Sequence, residues 1–359
     1  MTRLDRLMSL GAALVAAAVL LVAYPTAAPT PPAPPVPAAV AWPHAQTATV
    51  DALLPDGTSY QPEVFLDATT SVGIARSPDQ GAIRLLLRAP AAPARELRRR
   101  PANQDPSFGS FTSADDTLAW AETSHGAHVQ LWTVNVRDGQ PARLVTDDTG
   151  DAVLNGSPYD LLIADGRLYW TASDAQHHDL TEIRSVALTG GSVSVLTEPG
   201  AWSLSVWPWL VDGREDTTGT TQLRNLLTNR VVPVATAPRH TTHCDPIWCV
   251  QVALADAGYQ IDVVRPDGSA RLSVARGPVS PAIFDVVALE RFVVISQVTA
   301  SYSDLTGTDQ LLVYDLATRR TVEVSAAART ASCSAGVLWW TTGTQDAPVW
   351  HALDLRTVQ

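Results

Sequence analysis

Short apolar strands recur every 39 to 50 residues or so along almost the whole chain, and this period constrains the fold more than any other feature. The leading strands read SVGIA (71–75), TLAWA (117–121), RLYWT (167–171), WPWLV (207–211), IWCVQV (247–252), RFVVIS (291–296) and VLWWT (337–341). Each is followed by a polar loop and a second strand, among them IRLLLRA, VQLWTVNV, YQIDVVR and QLLVYDL. Tight turns follow at Asp138-Gly139, Gly190-Gly191, Asn229, Asp267-Gly268 and Ala317-Thr318. Most of these residue types tolerate the backbone angles that hairpins require. A third strand then closes a unit, as in ARLVT (142–146), SVSVLT (192–197) and TVEVS (321–325). No sustained helical period competes with this pattern between 45 and 359.

A repeat of this length is that of one four-stranded propeller blade. The all-β reading is therefore a β-propeller over residues 45–359, with seven blades, or six if the first unit is an irregular extension before RELRRRP (95–101). The last unit stops after its second visible strand, so AQTATVDALL (45–54) is expected to supply its outermost strand and close the ring.

Residues before the repeat read differently. Arg3 and Arg6 precede an uncharged run from Leu7 to Tyr24, which is read as a signal anchor or signal peptide over 1–24. Residues 25–44 are rich in proline and alanine and read as an extended extracytoplasmic linker. The basic residues ahead of the apolar run put the repeat outside the cytoplasm, tethered to the cell membrane, or secreted if the signal is cleaved. The net charge of -11 disfavours nucleic acid as a partner. Every basic residue is Arg, so neither a Schiff-base lysine nor a phosphate-loop lysine is available.

The unit LYWTASDAQHHDLTEIRSVALTGGSVSVLT (168–197) resembles blades of TolB-like and related YWTD-type propellers. CDPIWCVQV and the ending LWWTTGTQDAPVWHALDLRTV are similar to exported actinobacterial proteins of TolB-like type. The Trp-Ser-Pro-Asp-Gly type of turn usual in TolB blades is absent, and Ser77-Pro78-Asp79 is its nearest remnant. The resemblance implies an envelope propeller with protein partners.

Cys244 and Cys249 flank the turn DPIW at the junction of two strands. Zinc needs four ligands, and here only His240 and His243 lie close by. A redox pair lacks the two-residue spacing and helix terminus that lower a thiol pKa. A disulfide staple is the expected outcome outside the cytoplasm. Cys333 falls at the corresponding point of another unit and is expected as a buried thiol.

Loops between the leading and second strands should crowd one face of the ring. They carry His125 and His128, then His177, His178 and Asp179, then Asp212, Glu215 and Asp216, and finally Tyr302, Asp304 and Asp309. Of these, His125, His128, His177, His178, Asp179, Asp216, Asp304 and Asp309 form the candidate ligand-binding face. Asp147, Asp148 and Asp151 in DDTGD suggest a calcium loop, but the distal Glu is missing and a turn between blades is expected. Trp120, Trp170, Trp339 and Trp340 should pack between blades, whereas Trp202, Trp207 and Trp209 should partly line the funnel. No Gly-x-Ser-x-Gly nucleophile elbow occurs.

These features lead to the expectation of a non-catalytic binding or scaffolding propeller. Its partners would be an envelope protein or polymer on the loop face and the membrane at the N-terminal helix, with no cofactor and no catalytic residue. The alternative is a propeller lyase or hydrolase that uses the His and Asp residues of that face.

Overall fold

The structure, a computed structural model, describes residues 34–359 apart from 91, 125–127, 175, 178, 214–218, 285 and 300–306. Among the described residues, the strands form seven antiparallel sheets that follow one another along the chain. The repeat is thus a seven-bladed β-propeller. Blade 1 is Tyr60–Phe65, Ser71–Arg76, Ala82–Arg88 and Arg95–Pro101, so the Arg-rich segment is an outer strand rather than an extension. Blade 2 is Ser107–Ala114, Thr117–Thr123, Gln130–Asn135 and Arg143–Thr146. Blade 3 has its inner strand in two pieces, Asp151–Ala152 and Leu161–Ala164, followed by Arg167–Ser173, Leu180–Ala187 and Ser194–Pro199.

Blade 4 is the smallest, with Trp202–Leu204, Trp209–Asp212, Gln222–Asn225 and Val231–Pro233. Blade 5 comprises His240–Cys244, Cys249–Ala255, Gly258–Val264 and Leu272–Gly277. Blade 6 comprises Val279–Pro281, Phe292–Gln297, Asp309–Asp315 and Arg320–Ala328. Blade 7 takes Ala331–Ser334, Val337–Gly343 and Pro348–Asp354 from the end of the chain and Gln46–Asp51 from its beginning. The last two pair in register from Gln46 opposite Asp354 to Asp51 opposite Val349, which closes the ring as expected.

The strands seen first in the sequence are second and third in each blade, and their apolar side chains fill the seams. Trp120 and Trp170 are wholly buried at matching places in blades 2 and 3, and the Trp170 indole donates to the Thr149 carbonyl at 2.9 Å. Trp339 and Trp340 are buried in blade 7, where Trp339 lies 5.7 Å from the ring of Phe65 in blade 1. Trimming a buried tryptophan to alanine typically costs about 3–5 kcal/mol.

Guanidinium groups lace the seams as well. Arg98 of blade 1 holds the buried Glu122 of blade 2 through two bonds, 2.7 and 3.0 Å, while lying 3.5 Å over the Trp132 ring. Arg95 donates to the Val136 carbonyl at 2.7 Å, and Arg143 of blade 2 donates to the Leu188 carbonyl of blade 3. Arg224 of blade 4 meets Glu198 of blade 3 at 2.8 Å. The planar fork of arginine can satisfy both oxygens of one carboxylate, which lysine cannot do.

The far end of the region read as a linker is docked. Val36–Pro37 pairs parallel with Val322 and Glu323 at the edge of blade 6, and Trp42 packs edge-on against Phe292 at 5.8 Å. One aromatic and a short strand suffice to seat this stretch, although its composition suggests a spacer. The expected membrane helix lies outside the described residues. Among the described residues, no helix is long and apolar enough to cross a membrane.

Candidate functional site

Innermost strands decide what faces the axis. Their regularity differs around the ring. In blade 1 the pairing slips between Pro62 and Val64, leaving Glu63 as the extra residue of a β-bulge. Bulges re-aim side chains, and they recur beside functional sites. Gly73 sits opposite on the neighbouring strand because a Cβ there would lie 2.3 Å from the Gln61 carbonyl oxygen. Blade 2 slips between Gly109 and Thr112, with Ser110 in the left-handed conformation at φ 48°. Blade 3 breaks its inner strand altogether, and the intervening turn is held by Asp160. That carboxylate accepts from the Gly156 and Ser157 amides at 2.7 and 3.2 Å and from the Ser110 hydroxyl at 3.2 Å. Burial raises the Asp160 pKa despite these donors.

A cavity of about 480 Å³ touches innermost strands or the segments joined to them in blades 1, 2, 3, 6 and 7, which places it on the propeller axis. Glu63, Ser110, Ser157, Ser332 and Trp339 are among its lining residues. A second cavity of about 520 Å³ opens among blades 4, 5 and 6, with Val211, Val250, Val252, Val293 and Val294 in its wall and His243 at its edge. The two share Ser157, Pro281, Ile283 and Phe284 and so adjoin, as a polar and an apolar compartment of the axial channel. Phe284 is 73% exposed at the junction. Cavities of this size are typical of small-ligand sites.

Glu63 is the one carboxylate among the described lining residues of either compartment, and no arginine lines them. Its Oε1 accepts from the Gln61 side chain at 3.0 Å. Burial pushes its pKa up to about 7, and the Gln61 bond offsets only part of that rise. Nearby, the Tyr60 hydroxyl shares a 2.9 Å hydrogen bond with Ser71, and its pKa is pushed up to about 12, mainly by burial.

The candidate loop face is only partly described. His125, His178, Asp216 and Asp304 lie outside the described residues, as do Glu215 and Tyr302. His128, His177 and Asp179 are exposed on the loops between second and third strands. His177 Nδ1 lies 3.4 Å from Asp174 of its own loop. Asp309 accepts from Ser296 at 2.8 Å within blade 6, and Asp212 is occupied by Thr221 and Gln222. Among the described residues, no three His, Cys, Asp or Glu side chains gather as a metal site. Four of the eight candidate residues therefore lie outside the described residues.

Five further expectations meet the structure with different outcomes. Cys244 and Cys249 stand directly opposite each other and are joined by a disulfide, with Cα atoms 4.0 Å apart. Cys333 is buried beside the axial cavity, outside that bridge. Trp202, Trp207 and Trp209 do not line either axial compartment. Instead Trp207 lies 3.9 Å from the Tyr169 ring, and the Trp202 indole donates to the Pro199 carbonyl at 2.7 Å, because both find partners in the seam between blades 3 and 4. DDTGD is a turn between blades 2 and 3, with Asp148 paired to Arg184 at 3.0 Å. Ser77-Pro78-Asp79 turns between strands of blade 1, where the Ala82 amide donates to Ser77 Oγ at 2.9 Å and the Gly81 amide to Asp79 at 3.1 Å.

No family model matches the sequence, and no curated protein matches it. Solved structures do. A puromycin-hydrolysing peptidase of Mycobacterium tuberculosis is similar over 91% of this chain and 53% of its own, at 14% identity and TM-score 0.52. An uncharacterised protein of Listeria monocytogenes is similar over 78% of this chain and 88% of its own, at 8% identity and TM-score 0.51. TolB of Acinetobacter baumannii is similar over 72% of this chain and 65% of its own, at 11% identity and TM-score 0.38. The chain spans about half the length of the peptidase. At these identities the likeness concerns the fold, a β-propeller. The expectation of a non-catalytic binding or scaffolding propeller is corrected by the same comparison, since the peptidase carries this scaffold within a hydrolytic enzyme.

Proposed function

We propose that the chain is a peptidase-related propeller whose axial channel takes up peptide segments for hydrolysis. The observation that carries this reading is the pair of adjoining axial compartments with unlike walls. Serine hydroxyls and Glu63 on one side suit backbone amides and charged ends, and the valine wall suits apolar side chains. The fold shared with a peptidase supports the same reading. With the export read from residues 1–24, the ring would work outside the cytoplasm, as its exported actinobacterial resemblance implies. There the disulfide persists.

Binding of fluorescein-labelled octapeptides to the purified chain, followed by anisotropy, tests this proposal. Peptides should bind and should be displaced when Ser332→Trp fills the channel, with an unchanged melting curve showing that the ring is intact. Equal binding by the filled and open channels would overturn it.

A further inference from the structure

The polar compartment holds a half-buried carboxylate, Glu63, with no cation beside it among the described residues. Elsewhere in the ring several buried acids have guanidinium partners, Glu122 with Arg98, Asp315 with Arg291 at 2.8 Å and Asp262 with Arg271 at 2.7 Å, while Asp160 is held by two amides and a hydroxyl. Among the described residues, only Gln61 donates to Glu63. Removing a carboxylate from water is costly unless it is paired, and the usual outcome is that it keeps its proton. The bulge that brings Glu63 to the cavity lies opposite Gly73, where a Cβ would meet the Gln61 carbonyl oxygen at 2.3 Å. Around it stand hydroxyl groups and Trp339. Beyond the shared residues Ser157, Ile283 and Phe284 lies the aliphatic compartment.

We propose that the axial channel is a binding site for primary ammonium groups attached to an apolar body, the ammonium docking at Glu63 and the body lying against the valine wall of blades 5 and 6. The chemistry is shared by the free N-terminus of an apolar peptide and by a small amphiphilic amine. This assignment rests on the peptide-channel reading above and narrows it. A cation entering beside Glu63 would supply the partner that the fold omits and favour the ionised carboxylate. The apolar body would add hydrophobic burial of roughly 0.8 kcal/mol per methylene.

Titration calorimetry on the full chain at pH 8 separates the possibilities. The probes are hexylamine against hexanol, and Leu-Leu amide against its N-acetyl form. Each free amine should bind at least about tenfold more tightly than its neutral counterpart, equivalent to about 1.4 kcal/mol. Glu63→Gln should erase that preference while leaving the neutral probe unchanged, and Glu63→Asp should retain part of it. A preference for hexylamine alone would identify a small-amine site, and a preference for both would extend it to peptide termini.

The pH profile adds a second readout. Hexylamine stays protonated well above neutrality, so its affinity should rise between pH 5.5 and 8 as Glu63 loses its proton. Cys333 also faces this compartment and His243 faces the other. The Glu63→Gln protein subtracts their contribution. Equal binding of amine and neutral probes, or a preference that survives Glu63→Gln, would overturn the proposal. Octapeptides that bind equally well with free and acetylated termini would leave the channel reading standing and confine this one to small amines.

Discussion

Blades 1 and 5 hold comparable places around the axis, yet their innermost strands are built in opposite ways. Tyr60–Phe65 is bulged and turns an acid into the channel, with a glycine opposite to make room. His240–Cys244 pairs with its neighbour without a slip through all five residues and ends in a disulfide. Their neighbours differ as well, because blades 2 and 3 are also irregular at the axis whereas the valine wall comes from the second strands of blades 4, 5 and 6. A flat strand can offer a smooth apolar wall. Presenting a polar side chain to a cavity takes a break in the pleat. The ring therefore divides its labour: one arc supplies specific groups and the other supplies surface.

Removing residues 46–51 should have the largest effect on this contrast. Blade 7 adjoins blade 1 through Trp339 and Phe65, so the irregular arc would lose its support first. Hydrogen exchange should show protection lost in blades 7 and 1 before blade 5, and the single melting transition should broaden or split. Uniform loss across the ring would break the division. Next comes Gly73→Val, which crowds the bulge and should cost about 3 kcal/mol, as overpacked sites do. Denaturant unfolding would register it, and a neutral result would mean that the bulge can relocate freely.

Glu63→Gln should have the opposite sign. The folded state raises the Glu63 pKa to about 7 from an ordinary 4.5. Between those values the folded chain keeps a proton that the unfolded chain has released, so stability falls as pH rises and the full cost is present above about pH 7. The substitution should stabilise the protein by up to about 3 kcal/mol at pH 8 and by little at pH 4. Melting curves at the two pH values would reveal an unchanged difference if Glu63 were ordinarily solvated.

Smallest is the double change Cys244→Ala with Cys249→Ala. Its loop is short, so about 2 kcal/mol should be lost, with the amine preference at Glu63 intact. A loss of that preference would couple the two arcs.

Much of the ring was legible in the sequence because second and third strands are packed on both faces and read as apolar runs, as in TLAWA and VLWWT. Closure by residues near 45–54 was legible too, since the last unit lacked a strand. Innermost strands were not. They border the axial channel and pack on one side, so ASCS (331–334) and VSP (279–281) carry little apolar signal. For the same reason Glu63 was overlooked, although one acid inside YQPEVF, between Pro62 and Val64, was a visible irregularity. Loop histidines drew attention by residue type alone. Type cannot report convergence.

Ring closure also sets an order of events during synthesis. Thr49 and His351 meet across the closing strands although 302 positions separate them. The strand that completes blade 7 is made long before its partner exists, and it must wait with an open edge while six blades are assembled. Until then every intermediate is an open arc with two unmatched faces. A chain of this design is therefore most exposed to misassociation just before it is finished, and a chaperone that shields the early strand would act at the point of greatest risk.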